Sequence, residues 1–208
     1  MSTRAVIDIS ELPHHEFDTY DPVWWGNNLL LTIESAMFAI LIATYFYLRQ
    51  NFPLWPPPVA QLTATLRPLP ELTVGIVNTC VLLISCVPML MTDLAARRGN
   101  RTLCEIGLVI AVVFGLAGAV LRSFEFAAFY FRWDSNAYGS IVWFMLGMHM
   151  LHLLIATSEA ILLAVWIFTR EFDMKHRVDI VTLAIYWYWV VAVWLVLFGI
   201  LYFTPRLG

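Results

Sequence analysis

Five apolar stretches dominate the chain, at residues 25–49, 71–95, 103–129, 139–169 and 180–204. Each reaches the roughly 20 residues that a helix needs to cross hydrocarbon. Inside a bilayer every backbone N–H and C=O must find a partner within the chain, which leaves only helices and closed barrels. The alternation of apolar and polar residues that marks barrel strands is absent here. The expected fold class is therefore all-α: a polytopic membrane protein built as a bundle of five transmembrane helices. Composition agrees, with 61% hydrophobic and 13% charged residues against roughly half and a quarter in soluble domains.

The breaks between the runs are distinct. NFPLWPPPVAQLTATLRPLPE, Asn51 to Glu71, is too rich in proline to continue a helix. ARRGN reads as a tight basic turn, FRWDSNAYG as a polar loop, and REFDMKHRVD as a charged loop. Residues 1–24 form a polar, acidic N-terminal tail, with neither the charged nor the apolar region of a cleavable signal peptide. The chain is thus expected to enter the membrane through its first span, leaving residues 25–208 as the transmembrane domain.

Loop charge sets the expected orientation. Arg4, Arg97, Arg98, Arg101, Arg170, Lys175 and Arg177 fall on the side of the N-terminus, and Arg49, Arg67, Arg132 and Arg206 on the other. The positive-inside bias places the N-terminus in the cytoplasm and the C-terminus outside. Trp24, Trp25, Trp55 and Trp133 stand near the span ends, where indole rings are favoured. A net charge of −3 with no basic run argues against a nucleic-acid partner. Cys80, Cys86 and Cys104 lack metal-ligand spacing and read as small hydrophobes. Gly107, Ala111, Gly115 and Ala119 repeat every four residues, a small-residue stripe suited to close helix packing.

Ionisable residues inside the spans are the most informative, because a charge in hydrocarbon is costly unless it is paired. Glu34 shares one face of the first helix with Asn27 and Tyr45. Counted from Trp25 it lies roughly 14 Å deep, and at that depth the acid is expected to be neutral unless a cation or donors meet it. Arg122 and Glu125, three residues apart on the third helix, either pair along that helix or form an ion pair at the interface. His149, His152 and Glu159 lie within a sector of about 80° on the fourth helix and are expected to face protein. Two histidines so spaced can ligate a metal or hydrogen-bond a neighbouring helix; no completing ligand set is visible, which favours hydrogen bonding. Asp93 and Glu105, near helix ends, read as solvated. Nothing assembles a catalytic constellation, a phosphate loop or a zinc motif, so no catalytic residue and no metal ligand is assigned.

Several segments resemble the subunit III family of the haem–copper oxidases, above all cytochrome c oxidase subunit III. They are ESAMFAILIATYFYLR, WPPP, PLPELTVGIVNTCVLLIS, LRSFEF, YGSIVWFMLGMHMLHLLIATS and YWYWVVAVWLVLF, in the family's order over residues 25–203. The resemblance implies that the five spans correspond to helices III–VII of the seven-helix form, as in the family's five-helix members. Tyr188 and Val191 stand where the family commonly has a histidine and an aspartate.

That likeness further implies a non-catalytic accessory subunit of a respiratory terminal oxidase that reduces oxygen with electrons from cytochrome c. Such a subunit stabilises subunit I, its main contact, neighbours subunit II and other respiratory-complex subunits, binds phospholipid and supports proton uptake. Haems and copper are expected in the partners and no cofactor in this chain. By match, Glu34 is the intramembrane carboxylate that reacts with hydrophobic carbodiimides, Glu125 the family's second acid, and His149 and His152 its histidine pair. Lys175 and His176 are candidate contacts for a lipid headgroup. The runner-up readings are an accessory subunit of a quinol oxidase or of a nitric oxide reductase. A stand-alone proton or ion carrier using Glu34, His152 and Glu159 is the reading from another class, although the internal repeats usual in transporters are missing.

Overall fold

The computed structural model describes residues 21–57, 70–170 and 177–206. Five helices make up nearly all of it: α1 (Pro22–Asn51), α2 (Leu72–Arg97), α3 (Arg101–Ala127), α4 (Ala137–Thr169) and α5 (Arg177–Phe198). The last continues through a π turn (Gly199–Phe203) and a 3-10 turn (Thr204–Arg206). All five are long and apolar enough to cross a membrane, and no strand occurs among the described residues. The apolar runs thus become helices, with boundaries shifted by a few residues.

Local chemistry sets the ends. Asp21 caps α1 by accepting the Val23 N–H at 2.9 Å, with Pro22 at the first helical position where its missing N–H costs nothing. Asn100 caps α3 through Leu103 N–H and Asn136 caps α4 through Gly139 N–H. Between α2 and α3 the basic turn closes on Gly99, whose φ of 65° is open to glycine at little cost.

The helices alternate in direction. One end of the bundle holds the start of α1, the α2–α3 turn and the ends of α4 and α5 that face each other; we call it the turn end. The opposite end, the loop end, holds the α1–α2 and α3–α4 connections and the C-terminal turn. Helix α5 is the hub: it packs on α1, α2 and α4, and 56% of its apolar window is buried, against 17% for α1. Helix α1 is therefore an edge element, lying on α4 and α5.

The stripe on α3 serves three neighbours. Gly107 lies directly beneath Thr92 of α2, whereas Gly115 lies beneath Thr157 of α4 and Trp187 of α5. A β-carbon at either position would collide with those side chains, so glycine is what lets three helices converge on α3.

Candidate functional site

Two buried polar networks cross the bundle. The first lies between α1, α4 and α5. Three rungs join α1 to α5 in nearly constant register, as parallel neighbours require. The Asn27 amide donates to the Thr182 carbonyl at 3.4 Å. Trp189 Nε1 donates to Ser35 Oγ at 2.8 Å, and Tyr45 OH meets Thr204 Oγ1 at 2.9 Å. Trp55 Nε1 also donates to Tyr45 OH at 3.1 Å, tying the loop to the helix. The face shared by Asn27, Glu34 and Tyr45 is thus the docking edge of α1.

Glu34 sits within this edge and points at α4. Its Oε2 lies 3.6 Å from His152 Nε2. His152 Nδ1 donates to the Met148 carbonyl at 2.6 Å, which fixes that nitrogen as the proton carrier and turns Nε2 toward the acid. A favourable contact then needs one further proton, held by the carboxyl or by Nε2. The rings of Phe38 and Trp189 pack on the imidazole, with centroids 5.2 and 5.5 Å away.

The second network lies between α2, α3, α4 and α5 and is more deeply buried. Arg122 and Glu125 pair at 2.6 Å with side chains 0% and 1% exposed. The interfacial alternative raised by their position near a helix end is therefore corrected: both are inside the bundle. They are covered because α2, α4 and α5 all close over this end of α3. The Arg122 guanidinium stacks over the Trp194 ring, 3.6 Å from its centroid. His149 Nε2 donates to the Val190 carbonyl at 3.1 Å, leaving Nδ1 to accept from Arg122 Nη2 at 3.4 Å. Asn78 stands beside Glu125, fully buried.

Both ring nitrogens of His149 and of His152 thus face protein groups. Among the described residues no three of His, Cys, Asp and Glu converge on a point where an ion could sit.

Two further expectations need correction. Glu159 shares the helical face of His152 but stands on the outside of the bundle. The covering side chains around His152 do not extend to it, because α4 and the first turn of α5 part there and leave a groove lined by Glu159, Leu163, Trp166 and Asp179. Asp93 and Glu105 are not solvated carboxylates. Asp93 is bound by Arg97 at 2.9 Å and Glu105 by Arg101 at 2.8 Å, with acid side chains 12% and 20% exposed. The guanidinium comes from the following helical turn for Asp93 and from the preceding one for Glu105. Lys175 and His176 lie outside the described residues.

Some organising residues carry no obvious mark in the sequence. Trp194 Nε1 donates to Thr79 Oγ1 at 2.9 Å and Trp187 Nε1 to Ser85 Oγ at 2.9 Å. These two rungs join antiparallel α2 and α5, and they give the Asn78–Ser85 segment its structural meaning. The available signal was the matching interval: two tryptophans seven residues apart on α5, and two hydroxyls six apart on α2. Val191 is packed in the apolar core, whereas Tyr188 is half-buried, with Asp93 within electrostatic reach and a hydroxyl that makes no hydrogen bond.

Similarity to known proteins follows the same segments. The family described as Cytochrome c oxidase subunit III matches residues 4–205. Cytochrome c oxidase subunit 3 of Rattus norvegicus is 30% identical over 148 residues, which are 71% of this chain and 54% of the rat protein. The Anopheles gambiae protein of the same name is 26% identical over 193 residues, 90% of this chain and 71% of the mosquito protein. The Paracentrotus lividus protein is 29% identical over 148 residues, again 71% of this chain and 54% of the relative. The matched stretch thus spans about half the length of the rat and sea-urchin proteins. A bundle of five spanning helices and a match running almost from end to end lead to one conclusion: the chain belongs to the cytochrome c oxidase subunit III family.

Proposed function

We propose that this chain is the non-catalytic subunit III of a respiratory haem–copper oxidase that takes electrons from cytochrome c. The observation that carries the reading is how the inward-facing titratable side chains are used. Arg122, Glu125 and His149 engage one another, and Glu34 and His152 engage each other, so both networks join helices together. A chain arranged in this way acts as a scaffold beside a catalytic partner. Haems and copper then reside in subunits I and II, subunit I being the main contact.

Phospholipid binding is supported by an apolar groove of about 780 Å³ between α1 and α4 toward the loop end, lined by residues that include Leu41, Leu48, Ile141, Trp143 and Phe144. Its lining suits an acyl chain. Glu34, next to His152, is the group we assign to support of proton uptake and to carbodiimide reactivity. The arginines at the α2–α3 turn favour a cytoplasmic turn end in a bacterial inner membrane, with residues 1–24 as a cytoplasmic tail.

Affinity purification of the tagged chain from mild detergent tests the assignment. The expected result is co-purification with a haem-containing subunit I and a copper-ligand-bearing subunit II, with oxygen consumption from reduced cytochrome c. Recovery of the chain with a nitric oxide reductase, or with no haem protein at all, would overturn it.

A further inference from the structure

A polar line runs along α5 where that helix meets α1 and α4. Asp179, Thr182, Tyr186 and Trp189 follow one another at intervals of three and four residues, so they share one face of the helix. Both neighbours contribute to the line. The Thr182 carbonyl accepts from Asn27 of α1. Trp189 donates to Ser35 of α1 and packs on the His152 ring of α4. At the turn end the line begins in the groove that Glu159 of α4 shares with Asp179. At its inner end lies the Glu34–His152 pair.

The two ends differ in depth. Asp179 is one turn before Thr182, and Asn27, which meets Thr182, is less than one turn beyond Trp24 and Trp25. The groove therefore opens near the level of the tryptophan pair, where indole rings mark the membrane–water interface. Glu34 is seven residues past Asn27, about 10 Å further in. The part of its side chain that the bundle leaves open, 18%, faces hydrocarbon at that depth. A proton that reaches Glu34 from water needs a polar way through the protein.

Tyr186 occupies the interval. It is 3% exposed, and long helical side chains lean toward the helix N-terminus, which for α5 is the groove side. Its hydroxyl is buried without a hydrogen bond, as is Glu34 Oε2. Glu34 from α1 and Glu159 from α4 both lie within electrostatic reach of that hydroxyl. Buried polar groups that lack a protein partner are as a rule met by ordered water.

We propose that Tyr186 is the relay of a proton path from the turn end to Glu34, entered at the groove of Glu159 and Asp179 and completed by water on either side of the hydroxyl. A proton arriving from the Glu159 side binds a lone pair of the Tyr186 oxygen as the hydroxyl's own proton leaves toward the Glu34 carboxylate. Rotation about the C–O bond restores the starting arrangement, and tyrosine is neutral before and after. The proton comes to rest on the Glu34 carboxyl, which donates it in a hydrogen bond to His152 Nε2. The inference rests on the role of Glu34 in proton uptake and adds the residue through which that acid is supplied.

The test follows hydrogen–deuterium exchange of the Glu34 carboxyl by infrared spectroscopy of the whole purified complex. The C=O stretch of the protonated acid is the band lost in E34Q, and its shift is timed after a switch from light to heavy water. In Y186F the shift is expected about a hundredfold more slowly than in the wild type, the low end of what a positioned proton-transfer group contributes. A hydrophobic carbodiimide should still label Glu34 in Y186F at the wild-type rate, which shows the pair intact. Y188F removes a hydroxyl that is likewise unbonded but lies near Asp93, and it should exchange like the wild type. E159L, altered at the exposed mouth of the groove, should also slow exchange, and E159Q, which still holds water, should slow it less.

Slowing of Y186F by less than about tenfold, well under that contribution, would overturn the proposal. So would equal slowing in Y188F, wild-type exchange in E159L, or the absence of any protonated-acid band lost in E34Q. Failure of the functional reading looks different: exchange then slows in Y186F while proton uptake by the complex in turnover keeps its wild-type rate.

Discussion

Removal of one partner of the Arg122–Glu125 pair should be among the most damaging single changes in the chain. The contact is 2.6 Å long between side chains with essentially no exposure. Replacing Glu125 by alanine leaves the guanidinium without its anion, between the Trp194 ring and His149. Breaking a buried pair in this way costs roughly 3–5 kcal/mol. Replacing both partners, as Arg122→Met with Glu125→Leu, removes the stranded charge along with the pair and should cost much less, since apolar substitutes for a buried pair are often neutral. The expected coupling between the sites is therefore about 2–3 kcal/mol, the upper range for residues in direct contact. The assay is a double-mutant cycle on the detergent-solubilised complex, following loss of this chain's tertiary fold with denaturant by tryptophan fluorescence. Trp194 stands in the network and reports on it directly. A single Glu125→Ala variant that lost less than about 1 kcal/mol would show the pair to be as weak as a solvated surface ion pair. The placement of Arg122 and Glu125 inside the bundle would then be wrong.

Other outcomes follow from the same geometry. Glu34→Gln should assemble and keep most initial turnover, because a neutral amide can donate to His152 Nε2, whereas Glu34→Leu leaves that nitrogen unpartnered at a cost of about 1–3 kcal/mol. Oxygen uptake and retention of the subunit read both, and abolished turnover in Glu34→Gln would sink this view of the residue. A hydrophobic carbodiimide should label Glu34 in the wild type and not in Glu34→Gln; peptide mapping that finds the label elsewhere would contradict the assignment. Trp187→Phe should lose the Ser85 bond and about 0.5–1.5 kcal/mol while Ser85→Ala in that background adds little, as measured by thermal inactivation of the complex. Gly107→Leu should prevent α2 and α3 from closing, and normal membrane levels of that variant would show that the stripe does not set their approach.

The helices were legible because hydrocarbon imposes a length and an apolar content that few other structures mimic. Polar residues on an apolar helix were legible for the same reason, and the Asn27–Glu34–Tyr45 face stands out by period alone. Their partners were not. Glu34 meets His152 across more than a hundred residues of sequence, a pairing decided by how α1 leans on α4. Burial was also out of reach: Arg122 near a helix end reads like an interfacial residue until three other helices close over it. Glu159 shows the converse error. Its angle on α4 matches that of His152, but angle fixes direction only, and whether a neighbour extends far enough to cover that direction depends on where α5 begins. The tryptophan–hydroxyl rungs between α2 and α5 are unremarkable residues one by one, and only their matched spacing marks them.

The most direct test of the scaffold role is a comparison of the oxidase purified with and without this chain. Haem spectra should be nearly identical, and initial oxygen uptake should be largely preserved. In sustained turnover the enzyme lacking the chain should inactivate sooner, with rebinding of the purified chain restoring its lifetime. Complete loss of the haem spectrum, or an active lifetime unchanged by removal, would contradict the account.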